Sequence, residues 1–105
     1  MPVAVGGEPN LDGCGATDVI RGIISRRGDG FLAMRSGVET KYKIIYKFYR
    51  NGKKVTMCDD KGKWVGIIYG EDCGEAYDNI AKRKPYEGSC KSGWIFEKYI
   101  RMIAG

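Results

Sequence analysis

Histidine is absent from all 105 residues, and proline occurs only three times. Without an imidazole, the chain lacks the usual general base of enzyme active sites. No run of about 18 apolar residues is present, so no segment reads as a membrane-spanning helix. Met1 to Gly15 lacks the basic start and apolar stretch of a signal peptide. Close Cys-x-x-Cys pairs are also missing, which removes the common zinc and redox patterns. Gly28-Asp29-Gly30 does not continue into the order of residues that cradles phosphate. Asp59 and Asp60 adjoin, but neighbours on a strand point to opposite faces, and a tight turn beside Lys61 accounts for them. The expectation is a protein that is not an enzyme and needs neither metal nor cofactor.

What is present begins with four cysteines, Cys14, Cys58, Cys73 and Cys90, spread widely along the chain. An even number at wide spacing in a small domain reads as a disulfide framework and an oxidising compartment. Four buried thiols in a cytosolic protein are the plainer alternative. Three pairings are possible. The preferred one joins Cys73 to Cys90, closing the irregular stretch from Glu71 to Ser89, and Cys14 to Cys58, pinning the N-terminal segment to a strand end. The localisation expected is periplasmic or secreted, with a signal peptide removed.

Short β-type runs separated by glycine turns fill the chain. Residues 1–16 have no periodicity and read as an arm, leaving one domain over 17–105. Asp18 to Ile24 is a β-branched run, Arg26 to Gly30 a turn-rich loop, and Phe31 to Arg35 an extended segment. From Tyr42 to Tyr49 the pattern alternates with period two, placing Tyr42, Ile44, Tyr46 and Phe48 on one face. Asn51-Gly52 follows at once and predicts a hairpin, with Lys53 to Cys58 as the returning strand. Asp59 to Gly62 makes a second turn and Lys63 to Tyr69 a third strand. Residues 70–91 read as a long loop stapled by its cysteines. Trp94 to Phe96 and Tyr99 to Ile103 close the chain. Phe31, Phe48 and Phe96 are expected in the core, with Trp94 in the core or closing a barrel.

These pieces, in this order, resemble the bacterial SH3-like domain of cell-envelope proteins. The carrying residues are Arg35-Ser36-Gly37-Val38-Glu39-Thr40-Lys41-Tyr42, the turn at Gly52, a strand centred on Val55, and Gly62-Lys63-Trp64. Gly93-Trp94-Ile95 and Tyr99-Ile100 complete them. The match runs from about Val19 to Ile103. Two departures stand out: Val38-Glu39 replaces the family's usual Pro-Gly, and the cysteine-bounded stretch exceeds the usual hairpin. Together with Cys14, that stretch is similar to a disulfide-bearing, exported proteobacterial subgroup. The resemblance implies an all-β, small SH3-like barrel of five to six short strands with a long disulfide-stapled loop. It also implies a groove for extended peptides, often the peptidoglycan stem peptide.

Charge is concentrated. Between Lys41 and Lys63 lie eight basic residues and only two acidic ones, so this stretch carries the whole net excess of +5. It can meet an anionic envelope polymer, an acidic protein patch, or single-stranded nucleic acid; the plainest reading is a solvated strand face whose lysines discourage edge pairing. Nucleic acid ranks lowest, because an exported domain seldom meets it. The candidate ligand-binding residues are Tyr42, Trp64 and Tyr99 as groove aromatics, with Arg35, Glu39 and Lys41 beside them. Arg35 and Lys41 suit ligand carboxylates, although Arg35 can instead brace its own loop. The expected partner is a cell-wall peptide or another envelope protein. The alternative is an inhibitor- or immunity-type module that contacts a secreted partner through the basic stretch or the Cys73–Cys90 loop.

Overall fold

Eight apolar side chains from six different strands meet in one cluster: Ile20, Leu32, Met34, Phe48, Val55, Val65, Ile67 and Ile95. The computed structural model describes residues 1–7, 14, 16–24, 30–73 and 82–104. Within them lie nine strands: β1 (Ala4–Val5), β2 (Ala16–Ile20), β3 (Leu32–Arg35), β4 (Ile44–Phe48), β5 (Lys54–Lys61), β6 (Trp64–Tyr69), β7 (Lys84–Pro85), β8 (Lys91–Phe96) and β9 (Ile100–Ala104). A 3-10 turn, Glu97–Tyr99, separates β8 from β9. The protein is all-β. The loop expected over Arg26 to Gly30 and the middle of the stapled stretch fall largely outside the described residues.

Seven strands form one antiparallel sheet in the order β4-β3-β8-β6-β5-β2-β9, and β1 pairs with β7 in a second, two-stranded sheet. Among the described residues the large sheet does not close by hydrogen bonds into the expected barrel; β4 and β9 remain its edges. It is nevertheless curled, since the core cluster draws Phe48 from one edge strand and Ile20 from β2 beside the other.

The expected Asn51-Gly52 hairpin does not form. β4 pairs with β3, whereas β5 pairs with β2 and β6. A type I′ turn needs positive φ at both central residues, and here only Gly52 has it, at 92°. Asn51 instead clasps the far side of the curl. Its Oδ1 accepts the Ile23 N–H at 2.9 Å and its Nδ2 donates to the Ile23 carbonyl at 3.1 Å. The Gly52 N–H donates to the Ile20 carbonyl, and the Ile20 N–H to that of Lys53. The true hairpin is β5–β6, which extends to the Lys61–Trp64 pair and turns at Gly62-Lys63. Asp59 to Lys61 are therefore strand, not turn.

Both faces of the sheet carry buried side chains. Period-two alternation sends Val65, Ile67 and Ile95 inward, and Gly66, Ile68 and Trp94 outward. Trp94 is fully buried all the same, because the N-terminal segment roofs that face: its Nε1 donates to the Met1 carbonyl at 2.9 Å. Val3 and Val5 are buried with it. A register irregularity between Met57 and Asp59 resets the alternation of β5. Cys58 and Asp59 thereby both reach the roof. Asp59 accepts from Arg83 at 2.5 Å and from the Ala4 N–H at 3.1 Å, tying β1 and the β7 segment to β5. Beside it, Val5, Ile68, Cys73 and Tyr86 form a second apolar cluster, flanked by Cys14, Cys58 and Cys90. The bridges are Cys14–Cys58 and Cys73–Cys90. Tyr86 braces the latter, donating its hydroxyl to the Cys73 carbonyl and accepting the Cys90 N–H. Two disulfides accord with folding in an oxidising environment.

Phe31 departs from the expected core. It is 43 % exposed, tilted against Tyr49 with Lys47 over its ring, because it stands just before β3, whose alternation gives the inward positions to Leu32 and Met34.

Two outcomes follow for this roof. Replacing Cys73 and Cys90 together with alanine should lower unfolding free energy by about 3 kcal/mol, read by urea titration. Asp59→Ala should cost about 1–3 kcal/mol and speed hydrogen exchange at the Ala4 and Tyr86 amides. Unchanged exchange there would show that Asp59 does not hold the roof.

Candidate functional site

Beyond Trp94 none of the described residues roofs the outer face of the sheet, and the residues there form an open groove of about 390 Å³. Strand register builds it. Trp64, the first residue of β6, pairs directly with Phe96, the last of β8, and their rings meet edge to face at 5.7 Å. β3 supplies Ala33 and Arg35 from the same face, with Leu32 and Phe31 at its end, and the 3-10 turn presents Tyr99. Thr40 completes the lining. Tyr99 is half-buried against Gly22 and carries Lys98 over its ring at 5.0 Å. Such rings offer flat apolar area with polar edges, suited to an extended ligand.

Arg35 is the groove's charged member. Its Nη1 donates to the Thr40 carbonyl at 2.9 Å and to the Tyr42 carbonyl at 3.1 Å, so the guanidinium is held rigidly by its own loop. Nε and Nη2 take no partner among the described residues. Planar donors held in this way match a carboxylate.

Three of the expected ligand residues, Arg35, Trp64 and Tyr99, thus meet in one groove. The other three sit in the adjoining loop. Tyr42 lies flat on Gly37, where any Cβ would come within 2.6 Å of the ring, so it fastens the loop rather than lining the groove. Glu39 and Lys41 form a 3.9 Å ion pair with both side chains well exposed, an arrangement worth little to stability. Phe96, Phe31 and Thr40 were not expected as groove residues. Phe96 was legible in principle, because it lies two residues beyond Trp94 and so shares its face.

A second concavity, about 510 Å³, opens at the end of the core between β2, β5 and the 3-10 turn. Asp18 stands in it, 2 % exposed, with Oδ1 buried and unpartnered among the described residues. Burial pushes its carboxyl above the ordinary value of 3.8. No protein-family model, curated protein or solved structure matches this chain.

The Asp18 shift fixes the sign of a pH effect. The folded state holds its proton more tightly than the unfolded chain, so stability falls as pH rises from 3.8 through the raised folded value. Asp18→Asn should therefore be more stable than the parent at neutral pH, with the difference closing as pH drops towards 3.8. Urea midpoints measured across that range check it; a variant less stable at neutral pH would show that the charged form is favoured.

Proposed function

We propose that this protein is a non-enzymatic binding module of the cell envelope. It would recognise an extended peptide, such as a peptidoglycan stem peptide, along the groove of Trp64, Phe96 and Tyr99. The observation that carries this reading is Arg35: a guanidinium braced by two carbonyls, with Nε and Nη2 unpartnered among the described residues, at the side of an aromatic groove. A peptide would lay its backbone over the rings and place a carboxylate on those donors. The SH3-like assignment belongs to the same reading. It is supported by the long β5–β6 hairpin, the 3-10 turn before the last strand, and the pairing of that strand with β2. The two bridges support export to the periplasm or beyond.

A second reading draws on the edge strand β4. Ile44, Ile45 and Tyr49 are exposed there among Lys43, Lys47 and Arg50, and among the described residues no strand pairs with the outer edge of β4. An inhibitor- or immunity-type contact with an acidic secreted partner would use this edge.

Titrating isotope-labelled protein with peptidoglycan fragments separates the two. The groove reading expects shifts at Arg35, Trp64 and Tyr99, and a loss of about tenfold in affinity for Trp64→Ala. No shift at millimolar ligand removes it. A partner on β4 would perturb Ile44 to Tyr49 and leave the Trp64 indole unmoved.

A further inference from the structure

The cavity at the end of the core has a composition that the aromatic groove does not share. Its walls are apolar, from Met57, Val65 and Ile100, with Gly62 leaving space at the turn. Its polar members are Asp18, Asp60 and Glu97, together with Lys98. Asp18 lies on the inward face of β2, two residues from Ile20, and Asp60 reaches the cavity through the register irregularity of β5. A buried carboxylate is costly unless paired or protonated. Yet among the described residues no cation pairs with Asp18, and its Oδ1 accepts no hydrogen bond. The described cation that lines the cavity, Lys98, and those across from Val19 on the flanking strands, Lys54 and Arg101, form no ion pair with Asp18. Lys98 lies over the Tyr99 ring, and Arg101 on β9 spends Nη1 on the Lys98 and Ile100 carbonyls.

We propose that this cavity binds an alkylammonium group, with its methylenes against Met57, Val65 and Ile100 and its ammonium on Asp18. Asp60 and Glu97, both exposed at the rim, add attraction for the cation. The three carboxylates do not converge as metal ligands, whereas an ammonium on a flexible stem needs no fixed coordination geometry. The chemistry is shared by a free diamine and by a lysine side chain of another protein. The site is independent of the aromatic groove, and neither proposal requires the other.

The test is an isotope-edited titration of the intact protein at neutral pH with cadaverine, with Nα-acetyl-lysine methylamide, and with 1-pentanol as the uncharged control. The proposal expects both amines to shift Asp18, Val65 and Ile100, pentanol to be at least about tenfold weaker, and Asp18→Asn to lose about tenfold or more of amine affinity. Tighter binding of cadaverine would identify a free diamine, and tighter binding of the lysine derivative a protein side chain. Trp64→Ala should bind the amines as the parent does. The amine should also lower the Asp18 carboxyl pKa, followed by carbon-13 shifts in the parent protein, a readout that does not depend on how any variant folds. Equal binding of pentanol and amine, undiminished binding by Asp18→Asn, an unmoved Asp18 titration, or no shifts at millimolar amine would each overturn the proposal.

Discussion

One constraint governs this molecule: a single apolar cluster must be filled from six strands of one sheet. Phe48 and Ile20 come from opposite sides of the strand order, so they can meet only if the sheet curls. The curl is held at its seam by Asn51, whose side chain both donates to and accepts from the Ile23 backbone. Antiparallel sheets twist readily, and a short span with one buried face gains by wrapping around it. Edge closure by hydrogen bonds is then unnecessary. The Asn51 side chain ties the segment after β4 to Ile23 beyond β2, and the Gly52 and Lys53 contacts with Ile20 extend the β2–β5 ladder up to that clasp.

The outer face follows from the same geometry. Alternation that sends Ile67 and Ile95 inward leaves Ile68 and Trp94 facing out, too much apolar area for solvent. Residues 1–7 and the β7 segment cover it, fixed by Asp59, Arg83 and two disulfides. Where that cover ends, Trp64, Phe96 and Arg35 stand open on the same face. Among the described residues the groove is in this sense the uncovered remainder of a roofed surface, and its aromatics are part of the architecture.

Period-two patterning and glycine turns made the all-β class and most strand positions legible. The bridges Cys14–Cys58 and Cys73–Cys90 formed as preferred. Three things were not legible, each for a physical reason. Asn51-Gly52 is a strong local hairpin signal, but tertiary hydrogen bonds to Ile23 and Ile20 outcompete the local turn. The arm at 1–16 lacks periodicity because its first residues are held by long-range partners, Asp59 and Trp94, rather than by a repeating face. Asp18 heads a β-branched run, with nothing in the pattern to mark it as buried; only the packing of β5 and the 3-10 turn around it makes it a buried acid. Of the groove, Arg35, Trp64 and Tyr99 were visible as motif residues. Phe96 and Phe31 were read as core, since the pattern alone does not say where the roof stops.

The clasped curl is the claim on which the groove, the roof and the acidic cavity all rest. Backbone nuclear Overhauser contacts measure it directly. The account predicts cross-strand contacts between Thr17 and Thr56 and between Ala33 and Lys47, with Asn51 side-chain amide contacts to Ile23, and none across a β4–β5 ladder. A regular ladder pairing Ile44–Phe48 with Lys54–Cys58 would contradict it.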